Sequence, residues 1–316
     1  MHRYDKGRKM RQKSSPGNSL KKALNRKNRR RLFAFSILAP LSLWFLIFMI
    51  LPIVSVLFYS FTNANMAYPD WKFVGFDQYI KMFTRDTLFP VAVKNTVKSA
   101  LIIMPATVVL SVTLALGINA VSEGYGKVLT FVYFLPSIIS MVAVCMVWKW
   151  LYHQQYGILN AVLKFFGFPA QKFLNSSSQA LVCLCVIQIW VLIGYYAVIL
   201  LAAIRGIDIS LYEAAKVDGA GSFQRTFRIT LPLIRQNIFF VCVMATTQAF
   251  MIFTPVKVLT DGMPGTSTYV LMLHIMNRGI NNSDVAYASA MSLVLMGIIL
   301  IFSLIQKLVV REKEEA

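Results

Sequence analysis

The chain has 316 residues, 57% of them hydrophobic and 14% charged, and a mean hydropathy of +0.61, which excludes an ordinary soluble domain and makes lipid the expected solvent for most of it. A formal net charge of +19 raises nucleic acid as a partner. However, thirteen Lys and Arg crowd into the first 31 residues against one acid, Asp5, beside an apolar run and without a nucleic-acid-binding motif. The excess therefore reads as a topology signal that can rest on membrane lipid, and no nucleic-acid partner is expected.

In chain order, residues 1–32 form a basic tail expected to be disordered and cytoplasmic. The first apolar run, 33–61, is too long for the apolar part of a cleaved signal and ends without a small-residue cleavage site, so it is expected to be retained. Further runs cover about 93–120, 128–151, 180–204, 237–253 and 286–310. A bilayer core about 30 Å thick takes roughly 20 apolar residues per helix, which gives six spans. Pro105 and Pro136 lie inside them, where kinks are tolerated because neighbours satisfy the freed backbone groups. The expectation is an all-α membrane protein with a six-helix domain over 33–310, a cytoplasmic loop at 205–235 and a cytoplasmic tail at 311–316. Lys and Arg are denser in the loops this assigns inside, which also puts both termini there.

Cys145, Cys183, Cys185 and Cys242 all sit in apolar runs without metal-ligand spacing, and His2, His153 and His274 are scattered, so no metal site is expected. No G-x-S-x-G elbow or intramembrane carboxylate pair suggests catalysis, and none is expected. Gly126-Lys127 lacks the rest of a phosphate loop, which leaves no nucleotide site in the chain. Acids are essentially absent from the spans, so a proton relay has no carriers and energy for uphill transport has to come from elsewhere.

The loop between the fourth and fifth runs, residues 209–232, reads ISLYEAAKVDGAGSFQRTFRITLP. Ser210 with Glu213 has the form of a capping box, Gly219 and Gly221 end the first helix, Ser222 can cap a second, and Pro232 marks the return to the membrane. Two short helices at the cytoplasmic surface result, with small side chains that let another protein approach the backbone.

Glu213, Ala214, Ala215, Gly219, Ile229, Leu231 and Pro232 fit the pattern E-A-A, three residues, G, nine residues, I-x-L-P. This resembles the EAA loop of binding-protein-dependent ABC importer permeases. Leu135-Pro136, Trp148, the GILN run at 157–160 and the LTDGMP run at 259–264 look like the carbohydrate branch, similar to the MalF subunit. The first outer loop, about 62–92, is short where the enterobacterial maltose subunit carries an inserted domain, so maltose itself is not implied. The resemblance implies alternating access in partnership with a second, MalG-like permease, two ATP-binding cassette ATPases and an external solute-binding protein. ATP and magnesium would then be held by the ATPases, with no cofactor in this chain. Glu213 would engage a groove on the ATPase, Gly219 would permit the turn, and Lys216, Arg225 and Arg228 would add charge complementarity.

The resemblance also implies sugar contacts from the fourth and fifth spans. Trp190 and Tyr195 offer flat faces to a sugar ring, Gly194 makes room, and Thr247 and Gln248 can reach hydroxyls, with Tyr196, Thr246 and Gln188 as further candidates. Lys149, between Trp148 and Trp150, is the one cation read near the path, at its interfacial end. A neutral polyhydroxylated cargo, a sugar or oligosaccharide, fits this best. Another cargo such as glycerol phosphate stays open, as does an ion-coupled secondary transporter with an incidental loop match.

Overall fold

The computed structural model describes residues 35–68 and 70–315, and the expected basic tail at 1–32 lies outside them. The chain divides into a first unit up to Ser55 and a second from Val56. Helix α1, Phe35–Tyr59, is apolar on every side. Phe35, Leu41, Trp44 and Phe48 are all exposed, as expected of a helix whose surroundings are lipid or another membrane helix. A π turn at Leu46–Ile50 precedes Pro52, which has no N–H to continue the regular ladder.

The second unit is also helical. Its elements are α2 (Asp77–Thr84), α3 (Leu88–Ala120), α4 (Glu123–Ile138), α5 (Met141–Leu151), α6 (Ile158–Phe165), α7 (Ala180–Arg205), α8 (Ile209–Val217), α9 (Ser222–Arg225), α10 (Arg235–Phe250), α11 (Thr254–Leu259), α12 (Leu271–Met276) and α13 (Val285–Glu315). Among the described residues the only β features are two isolated bridges.

Helix α7 is the centre, packed against α3, α4 and α10. The contact face of α3 is a stripe at helical spacing made mostly of small residues: Ala92, Thr96, Ala100, Thr107, Ser111 and Ala115 are all buried. In lipid, where apolar surface gains little by leaving the solvent, such residues hold helices together by letting backbones approach. Ser111 Oγ donates across this contact to the Ile193 carbonyl at 3.1 Å. Pro105 does not interrupt α3.

Five helices are long and apolar enough to cross a membrane, and the pair α4 and α5, bent by 100° at its break, brings the count to six when taken as one span. The sequence predicts one run over 128–151 there. The break falls at Ile139 and Ser140, whose ψ angles of 141° and 129° are extended, three residues after Pro136 in the last turn of α4. The fifth span likewise departs from the expected 237–253: α10 ends at Phe250 and the chain re-enters a helix at Thr254. The last helix continues through Glu315, past the expected end of its apolar run at 310.

At the end of the bundle where α3 and α13 begin, buried polar groups lock α3, α12 and α13 together. Asp86 accepts from Leu88 N–H and Phe89 N–H with one carboxylate oxygen, and from Tyr287 Oη (2.7 Å) and His274 Nε2 (2.8 Å) with the other. Arg278 stands 3.6 Å away as a cationic neighbour. Burial opposes the Asp86 charge, but the bonds from Tyr287 and His274, the His274 charge and the Leu88 N–H outweigh it and hold the carboxyl at about 2. Burial pushes the His274 imidazole below its ordinary value against the pull of Asp86. The neutral tautomer that fits donates from Nε2 to Asp86 and accepts at Nδ1 from Tyr269 Oη, 2.9 Å away. Nearby, Lys81 pairs with Asp284 at 3.1 Å and lies over the Tyr287 ring.

Two runs tied above to a family resemblance have structural roles at this end. Asn160, 1% exposed, donates to the Gln154 and Gln171 carbonyls and accepts from Gln171 N–H, stapling the loop after α5. In the loop after α11, the buried Thr268 Oγ1 lies 2.8 Å from the Met263 carbonyl and 2.9 Å from Thr260 Oγ1.

Candidate coupling and transport sites

At the opposite end of the bundle, α7 passes through Gly206 into α8. The expected capping box is not formed. Asp208, two residues earlier than Glu213 requires, is the N-cap, and its carboxylate accepts from Ser210 N–H at 2.9 Å. That bond holds the Asp208 carboxyl below its ordinary range. Ser210 is thus already inside the helix, and Glu213 is exposed with no hydrogen bond or ion pair among the described residues. Helix α8 ends in a Schellman arrangement, with Ala220 N–H bonded to the Ala215 carbonyl (2.8 Å) and Gly219 N–H to that of Lys216 (3.2 Å). Gly219 carries φ +80°, a left-handed conformation that a side chain resists, although no neighbouring atom fills the space around it.

The second short helix differs in its cap as well. Gly221 precedes α9, and its N–H donates to Gln224 Oε1 at 3.2 Å, while Ser222 is the first helical residue and accepts from Arg225 Nη2. A π turn at Thr226–Thr230 and a short turn at Leu231–Leu233 lead into α10. Tyr212 Oη and the buried Thr230 Oγ1, 2.9 Å apart, tie α8 to this return segment.

The seven motif residues therefore fall into two groups. Glu213, Ala214 and Pro232 are exposed and Gly219 makes the turn, whereas Ala215, Ile229 and Leu231 are partly buried, and Leu231 packs on the main core. Around the exposed group the segment presents apolar side chains that a free surface would hide: Val217 is 88% exposed, and Phe223 and Phe227, with rings 4.3 Å apart, are 74% and 54% exposed. Lys216 and Arg228 are exposed and form no ion pair among the described residues. A satisfied backbone, unpaired side chains and exposed aromatics thus occur together on one ordered segment.

The residues expected to meet cargo are distributed over α7 and α10, which pack on each other. Trp190 is 42% exposed and meets Trp148 edge-on at 5.7 Å, and Tyr195 is 43% exposed beside the buried Tyr196. The room left by Gly194 is taken by protein: a methyl group there would stand 1.8 Å from the Tyr133 carbonyl oxygen, so this glycine serves the close passage of α4 over α7. Thr247 lines an apolar cavity of about 400 Å³ with Met251, Met272, Ser292 and Met296. Gln248 is exposed and bonded to nothing among the described residues. Thr246, by contrast, is committed, donating to the Cys242 carbonyl and accepting from Gln306 at 2.6 Å. Gln188 is buried in α7. No hydrogen bond or ring contact joins Trp190 or Tyr195 to Thr247 or Gln248 among the described residues.

Two lysines inside the apolar run 93–120, Lys94 and Lys98, were not read as lying within a span. Lys98 lies within α3, exposed, about 15 Å along the helix from its start at Leu88. Its position inside the run 93–120 makes it a further cation within a span besides Lys149, which the sequence reading takes as the one near the path.

Over residues 19–314 the chain matches the family described as binding-protein-dependent transport system inner membrane component. It belongs to that family. The permease is 32% identical to the diacetylchitobiose uptake system permease protein NgcF of Streptomyces coelicolor, over 86% of this chain and 80% of that one. It is 27% identical to the trehalose/maltose transport system permease protein MalF of Thermococcus litoralis, over 88% and 94%. Among solved structures it superposes on a bacterial ABC transporter that imports the acidic polysaccharide alginate, with a TM-score of 0.78, 27% identity and coverage of 92% and 99%. A second structure of a bacterial alginate transporter, in complex with an alginate pentasaccharide-bound periplasmic protein, gives a TM-score of 0.77 at 27% identity, covering 89% and 94%. The fold and family expected from the loop pattern are those found, and this is a multi-pass membrane protein.

Proposed function

We propose that the chain is a permease subunit of an ABC importer that carries a sugar or oligosaccharide by alternating access, driven by separate ATPases through residues 205–235. The observation that carries this reading is Glu213, exposed and unpaired on a helix whose own ends are satisfied by Asp208 and Gly219. A carboxylate with no partner among the described residues is free to pair with a cation outside the chain. ATP and magnesium belong to two cassette ATPases, and a second permease of the same fold completes the pathway. The periplasmic protein of the alginate complex supports a solute-binding protein as the outer partner. The positive-inside distribution of Lys and Arg puts the coupling loop and both termini in the bacterial cytoplasm. The chain itself catalyses no reaction. Sugar as cargo is supported by the saccharides named for its relatives and by Trp190, Tyr195, Thr247 and Gln248, which offer ring faces and neutral hydrogen-bonding groups.

Replacing Glu213 by Ala together with Gly219 by Ala in the assembled importer tests this. ATP-dependent uptake and ATPase co-purification are expected to be lost. Uptake that persists without ATP, driven by an ion gradient, would overturn the reading in favour of a secondary transporter.

Lys98 favours a second reading of the cargo alone. A cation within a span suits an anionic solute such as glycerol phosphate or an acidic saccharide. Uptake of labelled neutral and anionic solutes by the wild type and by Lys98→Gln separates the two, since the substitution is expected to impair only anionic uptake.

A further inference from the structure

Where α4 begins and α7 ends, the two helices enclose an open groove of about 520 Å³ that the coupling and cargo sites do not use. It is lined by Thr130, Phe131, Phe134, Val198, Leu201 and Ala202, with Lys127 and Arg205 at its rim. The placement is ordered along the membrane normal. Lys127 and Phe134 are seven residues apart on α4, as are Arg205 and Val198 on α7, so on each wall about 10 Å, two helical turns, separate the cation from an apolar residue deeper in the span.

Both cations are available. Arg205 makes no hydrogen bond or ion pair among the described residues, and its guanidinium stands near Gly126, where a methyl group would lie 3.7 Å from Nη2. Lys127 pairs with Glu123 at 2.8 Å, but both side chains are more than 70% exposed, so the pair is screened and easily exchanged. Asp208, the nearest acid following Arg205 in the chain, is occupied as the α8 cap. An unpaired guanidinium beside a lysine suits phosphate oxygens, which the planar fork can take two at a time. The aromatic and aliphatic walls below suit acyl chains, and Phe131 remains 63% exposed to receive them. Basic pockets between membrane helices at the cytoplasmic face are suited to anionic headgroups.

We propose that the α4–α7 groove binds an anionic phospholipid, its phosphate between Lys127 and Arg205 and its acyl chains along Phe131 and Phe134. Because Arg205 is the last residue of α7, three before the α8 cap, the lipid would sit at the root of the coupling segment. The assignment of the lipid to the cytoplasmic leaflet rests on the orientation given above. The binding itself does not.

The test uses the assembled importer in phosphatidylcholine vesicles doped with phosphatidylglycerol that carries a photoactivatable acyl chain, with labelled peptides mapped after irradiation. Label is expected on the peptides covering 123–138 and 193–205. Lys127→Gln and Arg205→Gln should each reduce it about fivefold, as expected for one cation at an anionic lipid. The swap Lys127→Arg with Arg205→Lys should retain it, which separates charge from folding. Equal labelling by a phosphatidylcholine analogue, or labelling unchanged by the Gln variants, overturns the proposal. So does a photoreactive residue at position 131 that captures the partner permease instead of lipid. Labelling is read without ATP, so failure of the transport reading leaves this result unaffected, and the reverse also holds.

Discussion

At one end of the bundle Asp86 is 5% exposed and both of its oxygens are hydrogen-bonded, whereas at the other end Glu213 is exposed and bonded to nothing among the described residues. Both are carboxylates outside the long apolar helices, and only Glu213 belongs to a sequence motif. The difference lies in where their partners are. Asp86 finds them on α12 and α13, so its charge is spent on holding the fold. Glu213 finds none among the described residues, and the turns around it are closed by backbone bonds. A buried polar group satisfied internally serves stability, and one exposed on an ordered surface is free to take a partner.

Asp86→Asn should break the internal network most severely. It replaces an oxygen by an amide that faces two donors, Tyr287 and His274, and breaking a buried pair of this kind costs about 3 kcal/mol or more. The expected result is a clear drop in thermal midpoint and in membrane abundance, with any uptake per folded molecule retained.

Acidification should weaken the same region next. His274 has its folded-state value lowered, so between that value and 6.5 the unfolded chain binds more protons, and stability falls as pH drops below 6.5. Asp86, lowered from 3.8 to about 2, adds a loss only below pH 3.8, complete below about 2. Thermal midpoints between pH 7 and 5 should therefore decline, and His274→Gln should flatten that decline. A decline of equal slope in the variant would assign it to groups elsewhere.

Gly219→Ala occupies the middle of the range. Forcing a side chain into φ +80° costs on the order of 1 kcal/mol and is confined to the α8 turn. A small change in midpoint with a large loss of ATPase co-purification is expected. Glu213→Ala should have the smallest effect on stability, within about 0.5 kcal/mol, because no intramolecular bond is lost. ATPase association should still fall. If Glu213→Ala destabilises the chain as strongly as Asp86→Asn does, the contrast between the two ends is lost.

The all-helical membrane fold and the family were legible in the sequence because each depends on local composition or on a fixed linear frame. An apolar run of about 20 residues has few alternatives to a membrane helix. The motif from Glu213 to Pro232 keeps its spacing whatever surrounds it. Within it, the cap was misplaced because Ser210 and Asp208 are both good N-caps, and only the backbone decides which of them precedes the first helical turn. The 100° break after Pro136 was hidden because Pro136 and Pro105 look alike in sequence, yet α3 passes through its proline unbroken.

What the sequence determined by itself, then, was membership: a helical membrane permease carrying the EAA-type loop pattern. Tertiary structure decided the work of individual residues. Gly194 serves helix packing because Tyr133 passes within contact of it, and Thr246 is tied to Gln306, sixty residues away. Asp86 stabilises because α12 and α13 bring it two donors from nearly two hundred residues along the chain. Hydropathy and motif spacing are properties of neighbours in the chain, whereas hydrogen-bond satisfaction and close approach are properties of neighbours in space.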